Sequence, residues 1–132
     1  MKKILAFFSL IFLLGACSAE SSPEAGFIGK NYQMQNAWNN AQITLGFDAS
    51  EPRFFGSVVN NYFGFYKLNG NKLSFEDAGV TLMMGPAEEM EAERLYLELL
   101  PKISTYRMDG TDLILLTADG AEYRFKEVPL AE

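Results

Sequence analysis

The chain has 132 residues, with 11 basic and 17 acidic side chains, no histidine and one cysteine. That length bounds it to one domain, and a net charge of −6 repels nucleic acid and anionic headgroups. Without histidine, the histidine-dependent triads and dyads and the histidine zinc sites are excluded, so no enzyme activity, cofactor or metal is expected. At the N-terminus, Lys2 and Lys3 precede an uncharged, largely apolar run over residues 4–14, followed by Gly15, Ala16 and Cys17. As helix this run covers only about 16 Å, roughly half the hydrocarbon core. A basic start, a short apolar middle and a small-residue cleavage site read as a secretory signal.

Leu14, Gly15, Ala16 and Cys17 resemble the lipobox of bacterial lipoproteins. The resemblance implies cleavage before Cys17, lipid on the Cys17 sulfur and a further acyl chain on the new N-terminus. More than one chain makes attachment stable, because burial is worth about 0.8 kcal/mol per CH₂. Taking the signal at 1–16 from 132 residues leaves 116 and, with two lysines gone, moves the charge from −6 to −8. Ser18 stands where lipoproteins retained at the inner membrane carry Asp. The resemblance therefore implies the outer membrane, with the protein facing the periplasm. Residues 17–26 are small and polar with Pro23, a flexible tether whose mean reach is roughly 15–18 Å. The folded domain is expected over 27–128.

Within the domain most segments alternate with period two. Ile43, Leu45 and Phe47 point one way, and 53–59 and 62–68 are aromatic and β-branched around Asn60 and Asn61. Asn69-Gly70, Asp109-Gly110 and Asp119-Gly120 are hairpin signals, because Asn, Asp and Gly tolerate positive φ. Glu122, Arg124 and Lys126 face water. One helix is expected over 86–100: Pro86 suits its first turn, Ala92, Leu95, Tyr96 and Leu99 form its apolar stripe, and Pro101 ends it. The acids Glu88, Glu89, Glu91 and Glu93 read as its solvated face. The expected class is α+β, mostly β: a curved antiparallel sheet or partly open barrel of seven to eight strands with the helix packed on it. A monomer is expected.

Two segments carry a family resemblance. GSVVNNYFGFY at 56–66, with Gly56, Asn60, Tyr62, Gly64 and Tyr66, resembles the G-x-x-C-N-x-[YF]-x-G motif of the META domain. This is the family of the heat-shock protein HslJ. TLMMG at 81–85, with Thr81, Met83 and Met84, resembles its T-x-M-[AM]-C motif, and Tyr106, Gly110, Leu113 and Leu115 its closing pattern. Val59 and Gly85 stand where the family usually has cysteine. If those cysteines pair in the family, losing both leaves no odd thiol, and Val59 should face Gly85 across apolar packing. For Asn60 a structural role at a strand end and, with Tyr62, a polar ligand contact both stay open. Gly56 and Gly64 are expected at bulges or close backbone approaches.

Other chemistry is thin. Glu76 and Asp77 could form a carboxylate pair and Asp109 and Asp112 could hold calcium, but neither sits in the required pattern. Trp38, Phe54, Phe55, Tyr62, Phe63 and Tyr66 could line a pocket or a partner surface. The family resemblance implies an envelope stress or antibiotic-tolerance connection. Together with the anchor it points to a non-catalytic lipoprotein that binds another envelope component. A small-molecule or lipid-binding module, or an inhibitor of a secreted hydrolase using loop 48–53 or 76–79, are the alternatives.

Overall fold

The computed structural model describes residues 25–76 and 78–129, so the signal, Cys17, nearly all of the tether and Asp77 lie outside the described residues. Among the described residues nine strands form: β1 (Asn31–Met34), β2 (Thr44–Phe47), β3 (Arg53–Ser57), β4 (Asn61–Asn69), β5 (Lys72–Phe75), β6 (Gly79–Val80), β7 (Ile103–Asp109), β8 (Asp112–Thr117) and β9 (Glu122–Val128). Helix α1 (Ala87–Leu99) lies between β6 and β7. Eight strands pair antiparallel in the ring β1–β2–β3–β4–β5–β7–β8–β9 and back to β1, while β6 pairs with β4. The expected curved sheet is thus a closed barrel. Eight strands leave an interior just wide enough for side chains to fill, and aromatic residues fill it here.

Period-two patterning drives this closure. Along β4, Tyr62, Gly64 and Tyr66 are buried while Asn61, Phe63 and Phe65 are exposed. Ile43, Leu45 and Phe47 all point inward. Inside, rings meet tilted or edge-on, the geometry their quadrupoles favour: Phe27 and Phe47 at 4.4 Å, Phe54 and Phe75 at 4.9 Å, Tyr62 and Tyr96 at 5.4 Å. The joint between β5 and β7 is the thinnest, with Lys72 opposite Thr105 and the Tyr106 N–H donating to the Asn71 carbonyl at 3.0 Å.

The two ends of the barrel differ. Helix α1 closes the end where Thr44, Asn60 and Asn61 lie, sending Tyr96 in against Tyr62 and Phe125. Phe27 stoppers the other end, packed on Phe47, Tyr66 and Tyr106. The chain therefore enters the barrel at the end remote from the helix.

Three expectations shift. The hairpin turns are Gly70-Asn71 and Gly110-Thr111, one residue later than expected, because Asn69 pairs with Lys72 and Asp109 with Asp112. Gly70 and Gly110, at φ +64° and +63°, take the first central position, where a type II′ turn wants glycine. Helix α1 starts at Ala87 with Pro86 capping outside it, and a 3-10 turn over Leu100–Lys102 follows. Finally, of the two expectations for Gly56 and Gly64 the bulge is not met, since the β3–β4 register runs unbroken and the register shift falls in β7 between Ile103 and Thr105. The close backbone approach is met at Gly56, against the Thr44 carbonyl.

Candidate functional site

The two family motifs meet at one buried point, the Asn60 side chain. Its Oδ1 accepts from the Thr81 hydroxyl at 3.0 Å and from the Met83 N–H, and its Nδ2 donates to the Met83 carbonyl at 3.1 Å and to Glu93 Oε2 at 2.9 Å. An amide has four such valences, and all four are used. Glu93 completes the knot: its Oε1 accepts the backbone N–H groups of Val59 (3.0 Å) and Asn60 (2.7 Å). The β3–β4 turn, the 81–84 segment and α1 are thereby tied together. Nothing is left over on Asn60 to meet a ligand, so the structural reading of this residue prevails.

Glu93 corrects the sequence reading. Glu88, Glu89 and Glu91 are exposed, but Glu93 is only 7% exposed, and Leu95 is only partly buried. The signal was available: 93 lies one residue after Ala92 and three before Tyr96, inside the stripe that faces the barrel. Val59 faces Gly85 as expected; a Cβ placed on Gly85 would lie 3.6 Å from the Val59 Cβ.

Gly56 and Tyr62 form a second contact. The Tyr62 hydroxyl donates to the Thr44 carbonyl and sits 2.6 Å from the Tyr96 hydroxyl. Since the carbonyl can only accept, Tyr96 is the donor to Tyr62. A Cβ at Gly56 would collide with the Thr44 carbonyl and come within 2.5 Å of the Tyr62 hydroxyl. Gly56→Ala is accordingly expected to lower unfolding free energy by about 2–4 kcal/mol in urea titrations, through overpacking and a displaced hydrogen bond. Gly64 and Tyr66 are buried in β4, and Tyr66 stacks edge-on with Phe47 at 5.5 Å.

Burial raises the pKa of three tyrosine hydroxyls. Desolvation, then the nearby Glu127 charge, pushes Tyr32 up to about 12; desolvation likewise pushes Tyr96 up, and desolvation, then Tyr96, does the same to Tyr62. An unfolded tyrosine releases its proton near pH 10, so above that pH the folded state holds more protons and stability falls. Melting temperature is expected to be flat on this account below about pH 10 and to drop steadily between about pH 10 and 12. A flat profile to pH 12 would show these hydroxyls to be accessible.

The remaining candidates separate. Asp109 and Asp112 do come together, but on the Arg124 guanidinium, at 2.8 and 2.6 Å; this pairing holds the Asp109 carboxyl below its usual range. Loop 48–53 is exposed from Ala49 to Arg53 and folded on itself, Asp48 Oδ2 accepting from Ser50 N (3.0 Å) and Glu51 N (2.9 Å). Glu76 is exposed. Phe54, Tyr62 and Tyr66 belong to the core. Phe55 and Phe63 lie opposite each other outside the barrel, with Phe65 next on β4, and are 39%, 56% and 56% exposed. Beyond β6, Leu82, Met83 and Met84 are 97%, 51% and 89% exposed. Trp38 and Tyr123 stack at 6.4 Å in a groove of about 620 Å³ that Leu95, Leu99 and Lys102 also line.

What fold and site define is a small closed β-barrel, stoppered by one helix whose buried glutamate locks two sequence motifs together. The chain belongs to the META domain family, whose model matches residues 27–129. Among curated proteins none matches it. The fold is similar to the NMR structure of a protein from Burkholderia xenovorans, with TM-score 0.65 and 22% identity, over 87% of this chain and 96% of that one. It is also similar to the crystal structure of a DUF4847 family protein from Bacteroides vulgatus ATCC 8482, with TM-score 0.57 and 12% identity, over 80% and 96%.

Proposed function

We propose that this chain is a lipid-anchored lipoprotein of the outer membrane whose META domain works without catalysis, by binding another envelope protein and supporting envelope integrity under stress. The observation that carries the reading is the pairing of a filled barrel with an exposed apolar surface at the helix-capped end. Fully exposed large apolar side chains in a row, such as Leu82 and Met84, are costly to keep in water unless something covers them. Between them, Met83 is held by Asn60 through both its backbone N–H and C=O. The tether would join the barrel at the opposite end, so this surface would face away from the bilayer that holds Cys17. A protein partner fits that geometry better than the anchoring membrane does.

The test is a photocrosslinking residue placed at Leu82 or Met84, with the same probe at Glu122 as control, in cells making the full chain. A discrete protein adduct from 82 and 84, absent from 122 and, for the probe at 84, lost in Leu82→Ser with Met83→Ser, supports the reading. Adducts with phospholipid alone would overturn it. Metabolic labelling with a tagged fatty acid, lost in Cys17→Ser, tests the anchor separately. The groove beneath Trp38 and Tyr123 supports a second reading, a small-molecule binder, since its volume lies in the range of ligand sites. In that reading the ligand sits on the barrel wall, because the interior is full.

A further inference from the structure

We propose that Met83 and Met84 form an oxidation site for hypochlorous acid, a surface that oxidant converts from apolar to polar without unfolding the barrel. A thioether reacts through its sulfur lone pairs, so exposure decides which methionine is hit. Met84 is 89% and Met83 51% exposed, whereas Met34 is 6% exposed and faces the core. Met90 and Met108 are half-buried, the latter against Gly26.

The step balances as an oxygen transfer. Sulfur gains the oxygen atom of HOCl and gives up two electrons; the O–Cl bond breaks, chlorine leaves as chloride, and the proton goes to water. The product, methionine sulfoxide, is polar and is reduced back by methionine sulfoxide reductases. In a core such a change disrupts packing. Here the backbone is secured independently, because the Met83 N–H and C=O are both bonded to Asn60, itself buried and tied to Glu93. The segment therefore keeps its path while its side chains change character. The site couples oxidant to loss of docking; that consequence rests on the partner-binding reading above, whereas the oxidation itself does not.

The experiment is graded addition of hypochlorous acid to the purified full chain, with peptide mass spectrometry at each dose. Oxygen is expected to fill Met84 and then Met83 well before Met34. At the dose that fills both, the melting temperature should be unchanged and the protein should elute earlier from a phenyl column. Met83→Leu with Met84→Leu, which keeps the apolar surface, should elute late with or without oxidant. Oxidation of Met34 alongside Met84, or loss of the folded transition at that dose, would overturn the site. If the order of oxidation holds but the crosslinks from 82 and 84 are absent even in untreated protein, docking fails and the oxidation site stands.

Discussion

Replacing Glu93 with Ala is expected to lower unfolding free energy by about 3 kcal/mol, because each buried donor left bare costs roughly 1–3 kcal/mol. Three donors lose their acceptor: the N–H groups of Val59 and Asn60 and the Asn60 amide. For a domain near 100 residues that corresponds to a fall of roughly 12–24 °C in melting temperature, at about 4–8 °C per kcal/mol. Glu93→Gln separates hydrogen bonding from size. Its carbonyl can still accept from the backbone of 59 and 60, but its NH₂ would confront the Asn60 NH₂. Asn60 cannot turn over to help, since Thr81 and Met83 both donate to its oxygen. Gln is therefore expected to cost about half as much as Ala, near 1–2 kcal/mol. Circular dichroism melts of the three proteins decide it, and an alanine variant within about 0.5 kcal/mol of the parent, the scale of an ordinary surface change, would show the knot to be incidental.

The second large effect runs the other way. Val59→Cys with Gly85→Cys should form an intramolecular disulfide on air oxidation and raise the melting temperature. The 3.6 Å separation of the two Cβ positions lies within the range a disulfide needs, about 3.5–4.5 Å. Closing the 26-residue span between positions 59 and 85 is worth about 3.5 kcal/mol in the chain-entropy account. Trimming Val59 removes about 1 kcal/mol of packing, leaving roughly 2.5 kcal/mol net. The single variant Gly85→Cys should instead destabilise, because its Cβ would press to 2.8 Å from a Val59 methyl. Opposite signs for the single and the double variant are the signature; a double variant that stays reduced under oxidant would show that the segments do not meet this way.

How much of this was legible from the residues varies by kind of interaction. Local periodicity wrote one strand plainly: Ile43, Leu45 and Phe47 were expected on one face and all lie in the core. Along 62–66 the exposed Phe63 and Phe65 are as apolar as the buried Tyr62 and Tyr66, so the composition gave a strand there but not its facing. Pro86 and Pro101 bracketed the helix to within a residue. The Val59–Gly85 contact came from the family resemblance, not from any local pattern. Barrel closure was not legible, because it depends on pairing β1 with β9 and β5 with β7, and no short-range pattern encodes such a partner. The short β1, NYQM, carries too few residues to announce itself. Glu93 was hidden for a physical reason: acids on helices are normally solvated, and the donors that hold this one lie 33 and 34 residues away.

A ring of strands is only as tight as its slackest joint. Where β5 meets β7, one residue pairing and one further N–H carry the backbone connection. Partial opening should begin there, and amide exchange at Thr105 and Tyr106 should outpace that of Leu113 and Leu115, which β7 and β9 flank on both sides. Such an opening would momentarily give a barrel without edges two free ones, each a template for a strand from a neighbouring copy. At high local concentration, as the proposed anchor would impose, that seam would be the origin of any self-association.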